Sequence, residues 1–148
     1  MQNSPANTAE TRKNTERPQT AEALYDALRD EIGTCNYYTL PNIEFYVAPR
    51  FVMRYTDGVR HMAQLVGAHW LLDEIQAILP DINVDIYLRR FALVRITRKP
   101  RYGGCTIDVL EDDGKPVKIR RVIPQTDFPV GAFEMYIVDN VLHLKTEY

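Results

Sequence analysis

Three histidines, two cysteines and two Thr-Asp pairs are the residues whose types and spacing in this 148-residue chain invite a chemical reading. His61 and His69 are too far round an ideal helix, about 80° apart, to chelate one ion together. His69 and Asp73 stand four positions apart and could share a ligand or hydrogen-bond each other, but the preferred reading is a surface or partly buried pair on a packing helix. Asp73 and Glu74 are adjacent and diverge by about 100°, so they cannot act as a close carboxylate pair. Thr56-Asp57 and Thr126-Asp127 read as a helix cap and a side-chain turn. The alternative is that they converge with His69 and Asp73 in one polar cleft made of Thr56, Asp57, His69, Asp73, Thr126 and Asp127. Cys35 and Cys105 are too few for a disulfide framework and lack zinc spacing, so both are expected as reduced thiols. No phosphate-binding glycine loop with Lys-Ser/Thr, GxSxG elbow or HExxH helix occurs. No catalytic residue, metal ligand or cofactor is assigned.

Charge is the most informative local signal. The chain carries 18 Lys+Arg and 20 Asp+Glu, a net charge of -2, which excludes a strongly basic nucleic-acid binder on global charge alone. The distribution is uneven. Residues 1–85 carry 7 basic and 12 acidic groups, residues 86–121 carry 10 and 4, and residues 122–148 carry 1 and 4. The middle segment holds Arg89, Arg90, Arg95, Arg98, Lys99 and Arg101, followed by Lys115, Lys118, Arg120 and Arg121. On neighbouring strands such residues could neutralise phosphates, with Arg95, Arg98, Lys99, Arg101, Lys118 and Arg120 as the candidate set and Tyr102 available to stack on a base or sugar. The competing reading pairs them with Asp108, Glu111, Asp112 and Asp113 and makes them guards of a sheet edge. Strand alternation limits any one face to about half of the set. Nine tyrosines supply contact area suited to an interface, and a homodimer stays open.

These residues need a scaffold, and the hydrophobic pattern outlines one. Residues 1–19 contain no Leu, Ile, Val or aromatic residue and read as a disordered leader. Thr20 is a predicted N-cap for a helix of about three turns, with Ala23, Leu24, Ala27, Leu28 and Ile32 on one stripe and Gly33 as its stop. Residues 34–55 are rich in aromatic and β-branched types and should form short extended pieces. Thr56 opens the strongest helical signal, which runs through Val59, Met62, Val66, Trp70, Leu71, Ile75 and Leu79 up to Pro80. Gly67 in its middle leaves open one helix or two. Beyond Pro80 five strands are expected: 91–96, 105–110, 117–123, 133–138 and 141–144. Asp113-Gly114 and Asp139-Asn140 supply turns. The expectation is one α+β domain over residues 20–148, an antiparallel sheet of about five strands packed against two or three helices. Trp70, Leu71, Ile75, Phe91, Leu93, Val109 and Ile137 are predicted in its core.

The sequence also resembles a known grouping. Gly33-Thr34, Tyr37-Tyr38, the YTDGV run Tyr55 to Val59, Gly67-Ala68, the WLLDEI run Trp70 to Ile75, the TDFP run Thr126 to Pro129 and the final Glu147-Tyr148 occur in an order that resembles an uncharacterised family of small bacterial, plasmid and phage proteins, a domain of unknown function. The resemblance covers about residues 32–148 and implies a single small domain, often encoded on mobile elements. It carries no activity. Asp112-Asp113-Gly114 looks like the family's central turn, and His69 stands where an aromatic residue is expected before the tryptophan.

The resulting expectation is a small non-enzymatic binding or regulatory protein. It would be carried on a mobile element and act on a host or defence component through protein or nucleic-acid contacts. The alternative is a small enzyme acting on a phosphorylated or nucleic-acid substrate, with Asp57, Asp73, His69 or Asp127 as acid-base or metal-binding groups. No run approaches the roughly 18 apolar residues of a membrane span and the first residues lack a signal-peptide core, so a cytoplasmic protein without a membrane partner is expected.

Overall fold

A computed structural model describes residues 17–30 and 36–148 of the chain. Residues 1–16 of the expected leader, and Ile32, Gly33 and Cys35, lie outside the described residues. Among the described residues three α-helices occur, α1 (Ala21–Ala27), α2 (Asp57–Val66) and α3 (His69–Val84). They cover one face of a seven-stranded sheet formed by β1 (Tyr37–Tyr38), β2 (Arg54–Thr56), β3 (Ala92–Arg98), β4 (Cys105–Leu110), β5 (Val117–Ile123), β6 (Gly131–Val138) and β7 (Val141–Leu144).

The α+β class is as expected, but the sheet is larger than five strands and mixed, in the order β1-β2-β7-β6-β3-β4-β5. The five expected strands form its antiparallel body. The extended pieces of residues 34–55 supply the rest: β1 pairs with β2, and β2 lies parallel to β7 through Arg54↔Val141 and Tyr55↔Leu142. Strands of two and three residues have no periodicity to betray them; the pairing partner decides them.

Both helix caps read from sequence are present. Thr20 Oγ1 accepts from the Ala23 amide at 3.1 Å, and Thr56 Oγ1 accepts from the Val59 amide at 3.2 Å. The long helical signal is two helices. Gly67 adopts φ 61°, a left-handed conformation that closes α2, and α3 starts at His69. The helix does not end at Pro80 as expected: α3 runs on to Val84, because fully buried Leu79 and Ile82 offset the lost backbone hydrogen bond. Asp139 and Asn140 both take positive φ, 52° and 63°, the backbone twist that a two-residue hairpin requires.

The core lies between the helices and the inner sheet face, with Val59, Met62, Leu71, Ile75, Leu79, Val94, Ile96, Ile107, Val109, Phe133 and Met135 buried in it. Three of the predicted core residues differ from expectation. Trp70 is half-buried, its ring edge-on to Phe128 at 6.5 Å. Phe91 is half-buried on the opposite side of the sheet, stacked with Tyr136 and Tyr148. Leu93 is buried but lies outside the main core, because β3 alternates and Val94 takes the inner position.

Candidate functional site

The basic segment is divided by the sheet into two classes of cation. On the outer face one cross-strand row alternates in sign: Arg120 stands opposite Asp108, Asp108 opposite Arg95, and Arg95 opposite Glu134. Arg120 holds Asp108 with two hydrogen bonds, of 2.7 and 3.0 Å. Arg95 reaches Glu134 at 2.6 Å and Asp113 at 3.0 Å, and Lys145 completes the row on Glu134 at 2.9 Å. Burial alone would raise the Glu134 carboxyl, but the hydrogen bonds from Lys145 and Arg95 outweigh it and hold the group below its ordinary range. Lys118 bridges Asp85 and Glu111, and its hydrogen bond pulls the Asp85 carboxyl down to about 2. Arg121 pairs with Glu74 on α3.

Of the six residues nominated for phosphate binding, Arg95, Lys118 and Arg120 are therefore engaged by carboxylates. Arg98 is engaged by backbone, donating to the carbonyls of Phe128 at 2.7 Å and Tyr102 at 3.3 Å. The remaining two, Lys99 and Arg101, are exposed and carry no ion pair among the described residues. The six do not share one surface. The two free cations do stand together, at the end of β3 where the chain turns toward β4.

That end of the sheet is concave. A pocket of about 410 Å³ is lined by Lys99, Tyr102, Thr97, Thr106, Val122 and the Gly103-Gly104 backbone, among others. Its floor is the last outer-face row, Thr97 opposite Thr106 and Thr106 opposite Val122. Gly104 makes the geometry possible, since a Cβ there would overlap the Ile123 carbonyl of the neighbouring strand. Arg101 adopts φ 70°, a left-handed backbone that a side-chain-bearing residue takes only at a cost. Tyr102 is 63% exposed, a ring free to stack. Cys105 also borders the pocket, but burial pushes its thiol up to about 11, which leaves it unsuited as a nucleophile.

The proposed polar cleft is not assembled. The two Thr-Asp pairs stand at opposite ends of α2, about 15 Å apart for ten residues of helix. At its start Thr56 donates to Glu147 Oε1 at 2.6 Å, Glu147 accepts from the Gly58 and Leu144 amides, and Asp57 accepts from Asn36 at 3.1 Å. At its end Arg17 donates to the Val66 carbonyl and pairs with Asp127 at 2.8 Å, while Thr126 Oγ1 accepts from the Phe128 amide. His69 and Asp73 are exposed on the first turn and a half of α3. Among the described residues no group of three or more His, Cys, Asp or Glu could hold a metal ion.

The segments that carry the resemblance thus meet in pairs, Thr56 and Gly58 with Glu147, and Trp70 with Phe128. A family model described as "Family of unknown function (DUF6876)" matches residues 22–148. The chain belongs to this family. No curated protein and no solved structure matches it. In this DUF6876 member the sequence reading missed Thr97, Thr106 and Val122 as pocket walls. The available signal was Gly103-Gly104, which reads as a strand separator and also lets the backbones approach closely. No helix among the described residues is long and apolar enough to cross a membrane.

Proposed function

We propose that this DUF6876 protein is a non-enzymatic binding protein that contacts nucleic acid through the β3–β4 end of its sheet. The observation that carries this is the coincidence of Lys99 and Arg101, unpaired among the described residues, with exposed Tyr102 at the rim of a pocket. Cations without carboxylate partners supply phosphate contacts and an exposed ring supplies a stacking platform, a combination suited to single strands. The scatter of Asp57, His69, Asp73 and Asp127 at separate places gives the enzyme alternative less support. By the same proposal the protein works in the cytoplasm, is carried on a mobile element and targets a host or defence component.

The test is fluorescence anisotropy with single-stranded DNA and RNA at low and physiological salt. Binding should be sequence-tolerant, roughly micromolar at physiological salt, and should weaken steeply as salt rises. Lys99→Glu with Arg101→Glu should abolish most of it, and Tyr102→Ala should cost about 1–3 kcal/mol. Absence of binding at low salt overturns the proposal. Binding that ignores salt overturns the nucleic-acid contact and points to a protein partner.

A further inference from the structure

The opposite end of the sheet holds a second set of unpaired cations. Arg89 and Arg90 precede β3, and Arg50 lies in the turn before β2; none has an ion pair among the described residues. Two adjoining concavities of about 260 and 420 Å³ lie between them, sharing Asn83 and Arg89. Arg50 lines the first, while Arg90, Asp139 and Asn140 line the second. The linings of the two concavities together hold three arginines and one carboxylate, a local excess of positive charge, whereas Arg95, Arg120 and Arg121 are paired.

The backbone beneath these arginines is fixed by hydrogen bonds. Asn83 donates to the Leu79 carbonyl at 2.9 Å and to Asn140 Oδ1 at 3.0 Å; Asn140 in turn donates to the Arg50 carbonyl at 2.8 Å. The chain of amides ties α3, the β6–β7 turn and the Arg50 turn into one floor. On the other side Asp85 Oδ1 accepts from the Tyr87 and Leu88 amides, and the Arg89 and Arg90 amides donate to Asp85 and Tyr87 carbonyls. The Arg50 guanidinium lies over the Phe51 ring, 4.8 Å from its centroid, a contact that leaves its N–H edge to choose a partner, and the Arg89 and Arg90 guanidiniums have no ion pair among the described residues. Lost backbone entropy, the usual cost of assembling several cations around an anion, has been met by the fold.

We infer that Arg50, Arg89 and Arg90 form a binding site for a multiply charged phosphate group, separate from the β3–β4 surface. Guanidiniums match phosphate oxygens with paired, charge-assisted hydrogen bonds, and a doubly or triply charged phosphate offsets the mutual repulsion of three arginines.

The probes are inorganic pyrophosphate and a short oligonucleotide with or without a terminal phosphate. They are titrated at physiological salt while the NMR signals of the guanidinium Nε–H groups are followed. The expected result is a saturable shift of the Arg50, Arg89 and Arg90 signals. Affinity should fall about tenfold for each arginine replaced by glutamine. Response to pyrophosphate alone identifies a free phosphate compound; preference for the phosphorylated over the bare oligonucleotide identifies a nucleic-acid end. The variant carrying Lys99→Glu and Arg101→Glu must keep this response even if it loses strand binding, so the two sites fail separately. If Arg89→Gln with Arg90→Gln does not fold by circular dichroism, each single variant carries the test. No saturable shift, or equal affinity after the arginines are replaced, overturns the inference.

Discussion

Arg101 occupies a backbone conformation that its side chain makes unfavourable, φ 70°, in the turn between Lys99 and Tyr102, which both line the pocket. A left-handed L-residue costs about 1–2 kcal/mol relative to glycine, which adopts the region freely. Arg101→Gly is therefore expected to raise stability by up to about 1 kcal/mol in urea denaturation, after allowance for the greater freedom of glycine in the unfolded chain. In anisotropy titrations it should weaken strand binding. A loss of stability would mean that the guanidinium holds the turn. Gly104 is the reverse case: its lack of a side chain admits the Ile123 carbonyl, so Gly104→Ala should cost about 2 kcal/mol or more in the same measurement. A glycine pair is visible in any sequence, but the close strand that makes one of the two indispensable is set by a partner 19 residues on.

At the scale of elements, local signals were legible and distant ones were not. The N-caps of α1 and α2 follow from a side chain three residues from the amide it satisfies, so sequence spacing alone finds them. The second cap on α2 comes from the other end of the domain. Glu147 accepts from the Thr56 hydroxyl, the Gly58 amide at 3.3 Å and the Leu144 amide at 2.9 Å, and so clasps the final turn to the start of a helix 89 residues earlier. A Cβ on Gly58 would come within 2.6 Å of Glu147 Oε2, so a side chain there would push the carboxylate out of this position. Nothing in the Glu147-Tyr148 dipeptide announces that role. Glu147→Ala should cost about 1–3 kcal/mol in chemical denaturation, because it strands two amides that the fold shields from water. Glu147→Gln, which keeps one acceptor oxygen, should cost less. Equal stability of both variants and the parent chain would show that water replaces the carboxylate without loss. The same distance problem hid β1 and β2, whose place in the sheet depends on β7.

Across the whole molecule the segment-by-segment charge asymmetry was legible, but its cancellation was not. Arg95 finds Glu134 across 39 positions on the outer face and Arg121 finds Glu74 across 47 on the helix side, so a basic segment folds into a largely neutral sheet with cations left over at its two ends. This arrangement also shapes the response to acid. His143 stands on the outer face beside Tyr148, with Nδ1 buried and without a hydrogen-bond partner among the described residues. Burial lowers its pKa below the ordinary value, against the opposing pull of the Glu147 carboxylate. A histidine held neutral by the fold takes up its proton more readily in the unfolded chain, whose imidazole titrates near about 6.5. The stability tied to the neutral ring is therefore complete above that pH and drains away as pH falls toward the depressed folded value. A second loss follows at lower pH, where Glu134, held below its ordinary range by Lys145 and Arg95, and Asp85, held down by Lys118 and the Leu88 and Tyr87 amides, are forced to protonate. Thermal melts recorded from neutral pH downward should show these two descents in order. His143→Phe, which keeps an aromatic ring against Tyr148 and carries no proton, should remove the first and leave the second in place. A first descent that survives the substitution would assign it to another group.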